Sequence, residues 1–181
     1  ALLLGVPYHW RSLRADAIGD ARLHELLAQA DILSPWAVGR LASAQDAAAR
    51  VETLLKPDQA WCHERGVDYL PVVFPGFSWH NLSLARGKSA PFNQIPRREG
   101  HFLWEQAQAA VRSGARMLYV AMFDEMDEGT AIFKTTNQPP IGASPFLSEP
   151  VPSDHYLWLT GRIGRMLRSG KEEPFPERPS V

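Results

Sequence analysis

Four short apolar runs, each rich in branched or aromatic residues, constrain this chain most. They are Leu2–Val6, Ile32–Leu33 leading to Trp36, Tyr69–Phe74 and Met117–Phe123. None alternates apolar with polar residues as a half-exposed antiparallel strand does, so each reads as a strand covered on both faces. Helical spacing fills the gaps. Ala21–Ala30 carries Leu23, Leu26 and Leu27, and Ser43–Leu55 has an N-cap candidate at Ser43. A further stretch runs through Gln59–Arg65 to Gly66. Arg98–Ser113 places Phe102, Trp104, Ala107 and Val111 on one face before Gly114, and Asp154–Arg168 does the same with Tyr156, Leu159 and Ile163 before Gly170.

Strand–helix alternation of this kind predicts an α/β fold of parallel βαβ units. Two architectures compete, an open doubly wound sheet and a (β/α)8 barrel. A barrel needs about 250 residues and eight units, whereas these 181 residues supply four. No glycine-rich phosphate loop follows a strand, which weakens the nucleotide-binding sheet. The tail Lys171–Val181 holds three prolines and is expected to be poorly ordered or draped on the surface.

Composition narrows the function. Nineteen basic against twenty acidic residues leave a net charge of −1, so no positive field invites nucleic acid. No apolar run approaches the ~20 residues that cross a bilayer, so no membrane partner is expected. Cys62 is the single cysteine, which excludes an internal disulfide or a multi-cysteine metal site. It lies inside a predicted helix and reads as a buried thiol rather than a nucleophile. His24, His63, His101 and His155 also fall in predicted helices and read as surface or packing residues.

The unusual residues follow each strand's carboxyl end, the edge at which parallel α/β folds bind ligands. Tyr8-His9-Trp10-Arg11 follows the first strand, Ser34-Pro35-Trp36 the second and Phe77-Ser78-Trp79-His80-Asn81 the third. Loops collect polar residues anyway, but three tryptophans on one rim call for a surface to cover. Indole faces bordered by His, Asn and carboxylates suit a sugar, with its apolar CH faces and hydroxyl edges.

After the fourth strand come Asp124, Glu125, Asp127 and Glu128 within five residues. A solvated acidic turn is the plain alternative. Aimed at the mouth, close carboxylates repel, and at least one has its pKa raised. Glycosidic cleavage needs one protonated and one ionised carboxyl. An extended backbone would put Glu125 beside Asp127, a helical turn beside Glu128. The same oxygens could hold Ca²⁺ or Mg²⁺ with His9 and His80 as added ligands, although the spacing matches no EF-hand and no HExxH is present.

The segment Asp124-Glu125-Met126-Asp127-Glu128-Gly129-Thr130 resembles glycoside hydrolase family 99, the endo-α-mannosidases, and the wider 71/99-like group. Those proteins carry an Asn-Glu-Trp-His-Glu-Gly-Thr type segment at the last barrel strand. Phe74–Asn81 with Asn93-Gln94-Ile95-Pro96-Arg97 resembles 71/99-like proteins described as xylosidase/arabinosidase, and Gly5–Arg11 and Ser34-Pro35-Trp36 are similar to that group's strand ends.

The resemblance spans residues 2–168 and implies the carboxyl-terminal half of a (β/α)8 barrel over residues 1–170, followed by the tail 171–181. It further implies catalytic Glu125 and Glu128 and retaining cleavage through a 1,2-anhydro sugar, with no metal or organic cofactor. Glu125 would assist the sugar's 2-hydroxyl, and Glu128 would act as acid and then base. On that reading His9, Trp10, Arg11, Trp36, Trp79, His80, Asn81, Asp124 and Asp127 bind an oligosaccharide or glycan. Arg11 and Arg97 either bind a hydroxyl-rich or anionic group or pair with the acidic cluster.

Asp124, Met126 and Asp127 stand where the family has Asn, Trp and His, which adds negative charge and removes an aromatic. A non-catalytic carbohydrate-binding protein is therefore the second reading, and a metal-dependent hydrolase the third. A half-barrel also leaves two strand edges and one sheet face open. Absent preceding sequence is the favoured explanation, and a second copy closing the ring is the other.

Overall fold

The computed structural model describes residues 1–142 and 144–178. It is an α/β structure with five short parallel strands. They are β1 (Leu3–Val6), β2 (Ile32–Pro35), β3 (Asp68–Tyr69), β4 (Val72–Val73) and β5 (Tyr119–Val120). β1 pairs with β2 from Leu3↔Ile32 to Val6↔Pro35, β2 with β3 at Leu33↔Tyr69, and β4 with β5 at Val73↔Val120.

The third apolar run is therefore two strands, where one was expected. Leu70 N–H makes the last bond to β2, at Leu33 O (2.9 Å), and Pro71 O accepts the first from β5, from Tyr119 N–H (3.0 Å). Pro71 has no N–H to give, so the run changes partner there. In the fourth run only Tyr119–Val120 joins the ladder.

Helix α1 (Arg22–Leu27) follows β1. Helix α2 (Ala44–Arg50) starts at Ser43, whose Oγ accepts from Asp46 N–H at 3.1 Å, while Asp46 accepts in turn from Ala42 N–H. A wide π-type turn (Val51–Leu55) joins it to α3 (Lys56–Glu64). Beyond that turn, after Lys56, stands Pro57, which cannot donate to the carbonyl four residues back. The short α4 (His80–Ala85) was not expected; its sequence lacks a helical apolar stripe. Helices α5 (His101–Ser113) and α6 (His155–Ser169) end at Gly114 and Gly170, both left-handed at φ 93 and 64.

The interior has two parts. Val6, Trp10, Leu33, Val51, Leu55 and Phe74 pack between β1–β3 and α2/α3. Val73, Trp104, Leu159, Ile163 and Met166 pack where β4 meets α5 and α6. The sheet's other face is open: Leu3 is half exposed and Gly5 exposed, contrary to strands covered on both sides.

The tail is draped rather than loose as far as residue 178. Trp104 Nε1–H and Gln108 donate to Glu173 O, Phe175 stacks on His101 at 3.7 Å, and Arg178 pairs with Asp154 at 2.8 Å. The expectation for residues 179–181 lies outside the described residues.

Candidate functional site at the carboxyl edge of the strands

Each rim loop is held differently. After β1, Trp10 is fully buried, edge-on to Trp61 at 4.7 Å, and so packs the interior instead of lining a mouth. Arg11 turns to α3, its Nε donating to buried Asp58 at 2.6 Å, and thus pairs with Asp58 and not with the acidic turn. Burial raises the Asp58 carboxyl although Arg11, Tyr69 and Trp10 oppose it. His9 is different. Its ring is partly exposed and its Nδ1 lies 2.9 Å from Asp16 Oδ1.

After β2, Trp36 is 42% exposed, its ring 6.3 Å from Tyr119 of β5. Gly39, at φ 75, has room only for a hydrogen: a Cβ there would lie 2.8 Å from the Trp79 ring. Trp79 comes from the loop after β4 and is itself 37% exposed. It also leans on Phe77 (4.4 Å), and its N–H donates to Gln94 Oε1 at 2.9 Å. His80 Nδ1 lies 2.7 Å from Ala90 O, so that nitrogen donates. Asn81 is buried and donates to Pro145 O at 2.9 Å, while its Oδ1 has no partner among the described residues.

After β5 the acidic segment folds into a closed turn. Thr130 and Ala131 N–H both donate to Glu125 O (3.2 and 2.9 Å), and Gly129 N–H donates to Met126 O. Leu147 occupies the place a Cβ on Gly129 would take, which is why glycine stands there at φ 69. Ser78 N–H donates to Glu128 O at 2.8 Å, so the residue before Trp79 holds the acidic turn directly.

Asp124, Glu125 and Asp127 are exposed and Glu128 is half-buried. Among the described residues no ion pair engages any of the four. Burial, then the negative charges of Glu125 and Asp127, push the Glu128 carboxyl above its ordinary value, with Arg86 at the end of α4 opposing. Arg97 is not part of this field; it lies 3.7 Å over the Tyr156 ring and 3.5 Å from Glu149.

The rim thus gathers Trp79, the Ser78 N–H and Glu128 at one point, with Trp36 and Tyr119 as a second aromatic contact. It leaves Trp10 and Asn81 inside the protein and Arg11, partly exposed, paired with Asp58. Among the described residues no three His, Cys, Asp or Glu side chains converge as metal ligands, so the metal reading finds no ligand set. Cys62 is buried, its thiol pushed up to about 12 by burial. Among the cavities elsewhere are one of about 40 Å³ by Arg97, Glu149 and Tyr156 and one of about 540 Å³ by Cys62, His63 and Arg116. Neither is lined by the acidic turn.

Among solved structures, the chain is similar to the glycoside hydrolase family 99 endo-alpha-mannosidase from Bacteroides thetaiotaomicron. The structure of that enzyme with bis-tris-propane matches at TM-score 0.60 and 22% identity, over 78% of this chain and 42% of that one. A second structure of it matches at 0.61 and 23%, over 80% and 40%. The likeness is one of fold. This chain spans about two-fifths of that enzyme's length. No family model and no curated protein matches the chain. Among the described residues no helix is long and apolar enough to cross a membrane.

Proposed function

We propose that the chain is the carboxyl-terminal part of a (β/α)8 glycosidase barrel and supplies the carboxylate pair that cleaves a glycosidic bond with retention. One observation carries the reading. Of four clustered carboxyls, Glu128 is sheltered and raised by Glu125 and Asp127, while Glu125 stays exposed. That asymmetry gives the two carboxyls the unlike surroundings that a proton donor and its partner need.

In the reaction Glu128 gives its proton to the departing glycosidic oxygen. Glu125 takes the proton of the sugar's 2-hydroxyl as that oxygen closes on the anomeric carbon, forming a 1,2-anhydro sugar. Water then attacks the anomeric carbon and loses a proton to Glu128, while the 2-oxygen regains one from Glu125. Two inversions leave the configuration retained, and both carboxyls return to their starting states. No metal or organic cofactor takes part. The exposed faces of Trp36 and Trp79 stack on sugar rings, and the glycan is α-mannose-configured by likeness to the Bacteroides enzyme. The rest of the barrel, from other sequence or a second copy, covers the open sheet face.

The extra charges of Asp124 and Asp127 favour a second reading, a carbohydrate-binding protein without turnover on the same fold. Glu125→Gln and Glu128→Gln separate the two. Assays on mannose-, glucose- and xylose-configured oligosaccharides should lose roughly 10²–10⁴-fold in turnover, with binding by calorimetry retained. Sugar binding without turnover in any form supports the binding protein. Activity lost to a chelator would overturn both.

A further inference from the structure

Asp16 lies seven residues from His9, in a loop no motif singles out. Its carboxylate accepts four donors. Oδ1 takes His9 N–H (3.1 Å) and His9 Nδ1 (2.9 Å); Oδ2 takes Tyr8 N–H (3.0 Å) and Arg40 Nη2 (2.7 Å). Tyr8 and His9 follow β1, and Arg40 follows β2, so one side chain joins two rim loops. Arg40 adjoins Gly39, on which the Trp79 ring rests. The chain brings Asp16 there at a cost: Leu13 and Ala15 both have left-handed φ (53 and 52), a region that non-glycine residues disfavour. Strain of this kind persists where the surroundings over-determine a conformation.

An ionised carboxylate can only accept, so His9 Nδ1 must carry a proton when it faces Asp16. The bond made by one ring nitrogen sets the state of the other. In the neutral ring Nε2 is then a bare acceptor, and no described residue bonds it. The other histidines held by hydrogen bonds, His24, His80 and His155, all face backbone carbonyls. His9 alone among the described residues combines a carboxylate partner with a partly exposed ring.

We infer that Asp16 is a positioning residue that fixes His9 as the Nδ1–H tautomer, presents Nε2 at the rim to accept a hydrogen bond from a sugar hydroxyl, and staples the loops after β1 and β2. The sugar hydroxyl rests on the proposed glycosidase reading; the tautomer does not. The two therefore fail separately.

Two-bond ¹H–¹⁵N correlation spectra of ¹⁵N-histidine-labelled protein at about pH 8.5, above the ordinary imidazole range, read the tautomer directly. His9→Gln assigns the signal by its loss. Wild type should show protonated Nδ1 and bare Nε2. Asp16→Asn should shift the proton to Nε2 or mix the forms, because its single acceptor oxygen is drawn to Arg40 and Tyr8 N–H, which turns the amide NH2 toward His9 Nδ1 and makes that nitrogen accept. Arg40→Ala should leave the tautomer unchanged. A wild-type His9 protonated on Nε2, or a spectrum unchanged by Asp16→Asn, overturns the assignment, and the wild-type spectrum decides even should Asp16→Asn fail to fold. For the sugar role, calorimetry with an α-mannobiose probe should show affinity lowered about tenfold in Asp16→Asn. Equal affinity with a shifted tautomer overturns that role. Absence of binding by wild-type protein counts against the glycosidase reading and leaves the tautomer result standing.

Discussion

The loops after β1 and β5 look alike in sequence, each a cluster of polar and bulky residues past an apolar run, yet they are built on opposite principles. In the first, nearly every charge is answered: Arg11 meets Asp58, and Asp16 meets His9 and Arg40. Trp10 is spent on the interior. In the second, four carboxyls crowd with no ion-pair partner among the described residues, and burial, with the charges of Glu125 and Asp127 behind it, pushes the Glu128 carboxyl up. Satisfied polar groups stabilise a fold; uncompensated like charges cost stability and are kept where chemistry uses them. On the proposed reading the first loop, His9 apart, is the wall and the second the working surface.

The sharpest way to break this contrast is to exchange tryptophans. Trp10→Ala should lower unfolding free energy by about 4 kcal/mol in urea titration, the usual loss for a fully buried indole. Trp79→Ala should cost no more than about 1 kcal/mol while weakening sugar binding. Equal stability losses would erase the distinction between wall and working surface.

A smaller effect sharpens the ionic half. Arg11→Ala strands Asp58 in the interior and should cost roughly 3 kcal/mol. Adding Asp58→Asn should recover part of that loss, because a neutral amide tolerates burial better than an unpaired carboxylate. No recovery in the double variant would mean that Arg11 acts by packing alone.

The smallest effect concerns Glu128 and pH. Its folded pKa lies above the ordinary 4.5, so its contribution to stability is present below that value and lost as pH rises through the folded pKa. Glu128→Gln escapes that loss. Its melting temperature relative to wild type should rise between pH 4 and pH 8, by no more than about 2 °C given solvent screening of a half-exposed group. A difference independent of pH would show that the carboxyl titrates normally.

Much of the architecture was legible along the chain. Continuous apolar runs announced parallel strands, Ser43 announced the start of α2, and Gly114 and Gly170 the ends of α5 and α6. Proline punctuation was less readable: Pro71 divides one run between two partners, and Pro57 sits just past a widened turn inside what is otherwise unbroken helix. The candidate site was half legible. Clustered acids and a tryptophan rim stand out in any loop, but which tryptophan is rim and which is core depends on neighbours far away in sequence. Asp16 gave no signal, because its role exists only through His9 and Arg40, seven and twenty-four residues distant.

Local patterning alone therefore determined most element types, α4 and the division of the third run excepted, and the order of residues along the strand ends, since both follow from short-range periodicity and backbone preference. Tertiary structure alone decided which groups were answered. Trp10 found Trp61, Arg11 found Asp58, Gly39 made room for Trp79, and the acidic turn was left with itself. Pairing energies depend on distance and burial, and neither is written in a linear spacing.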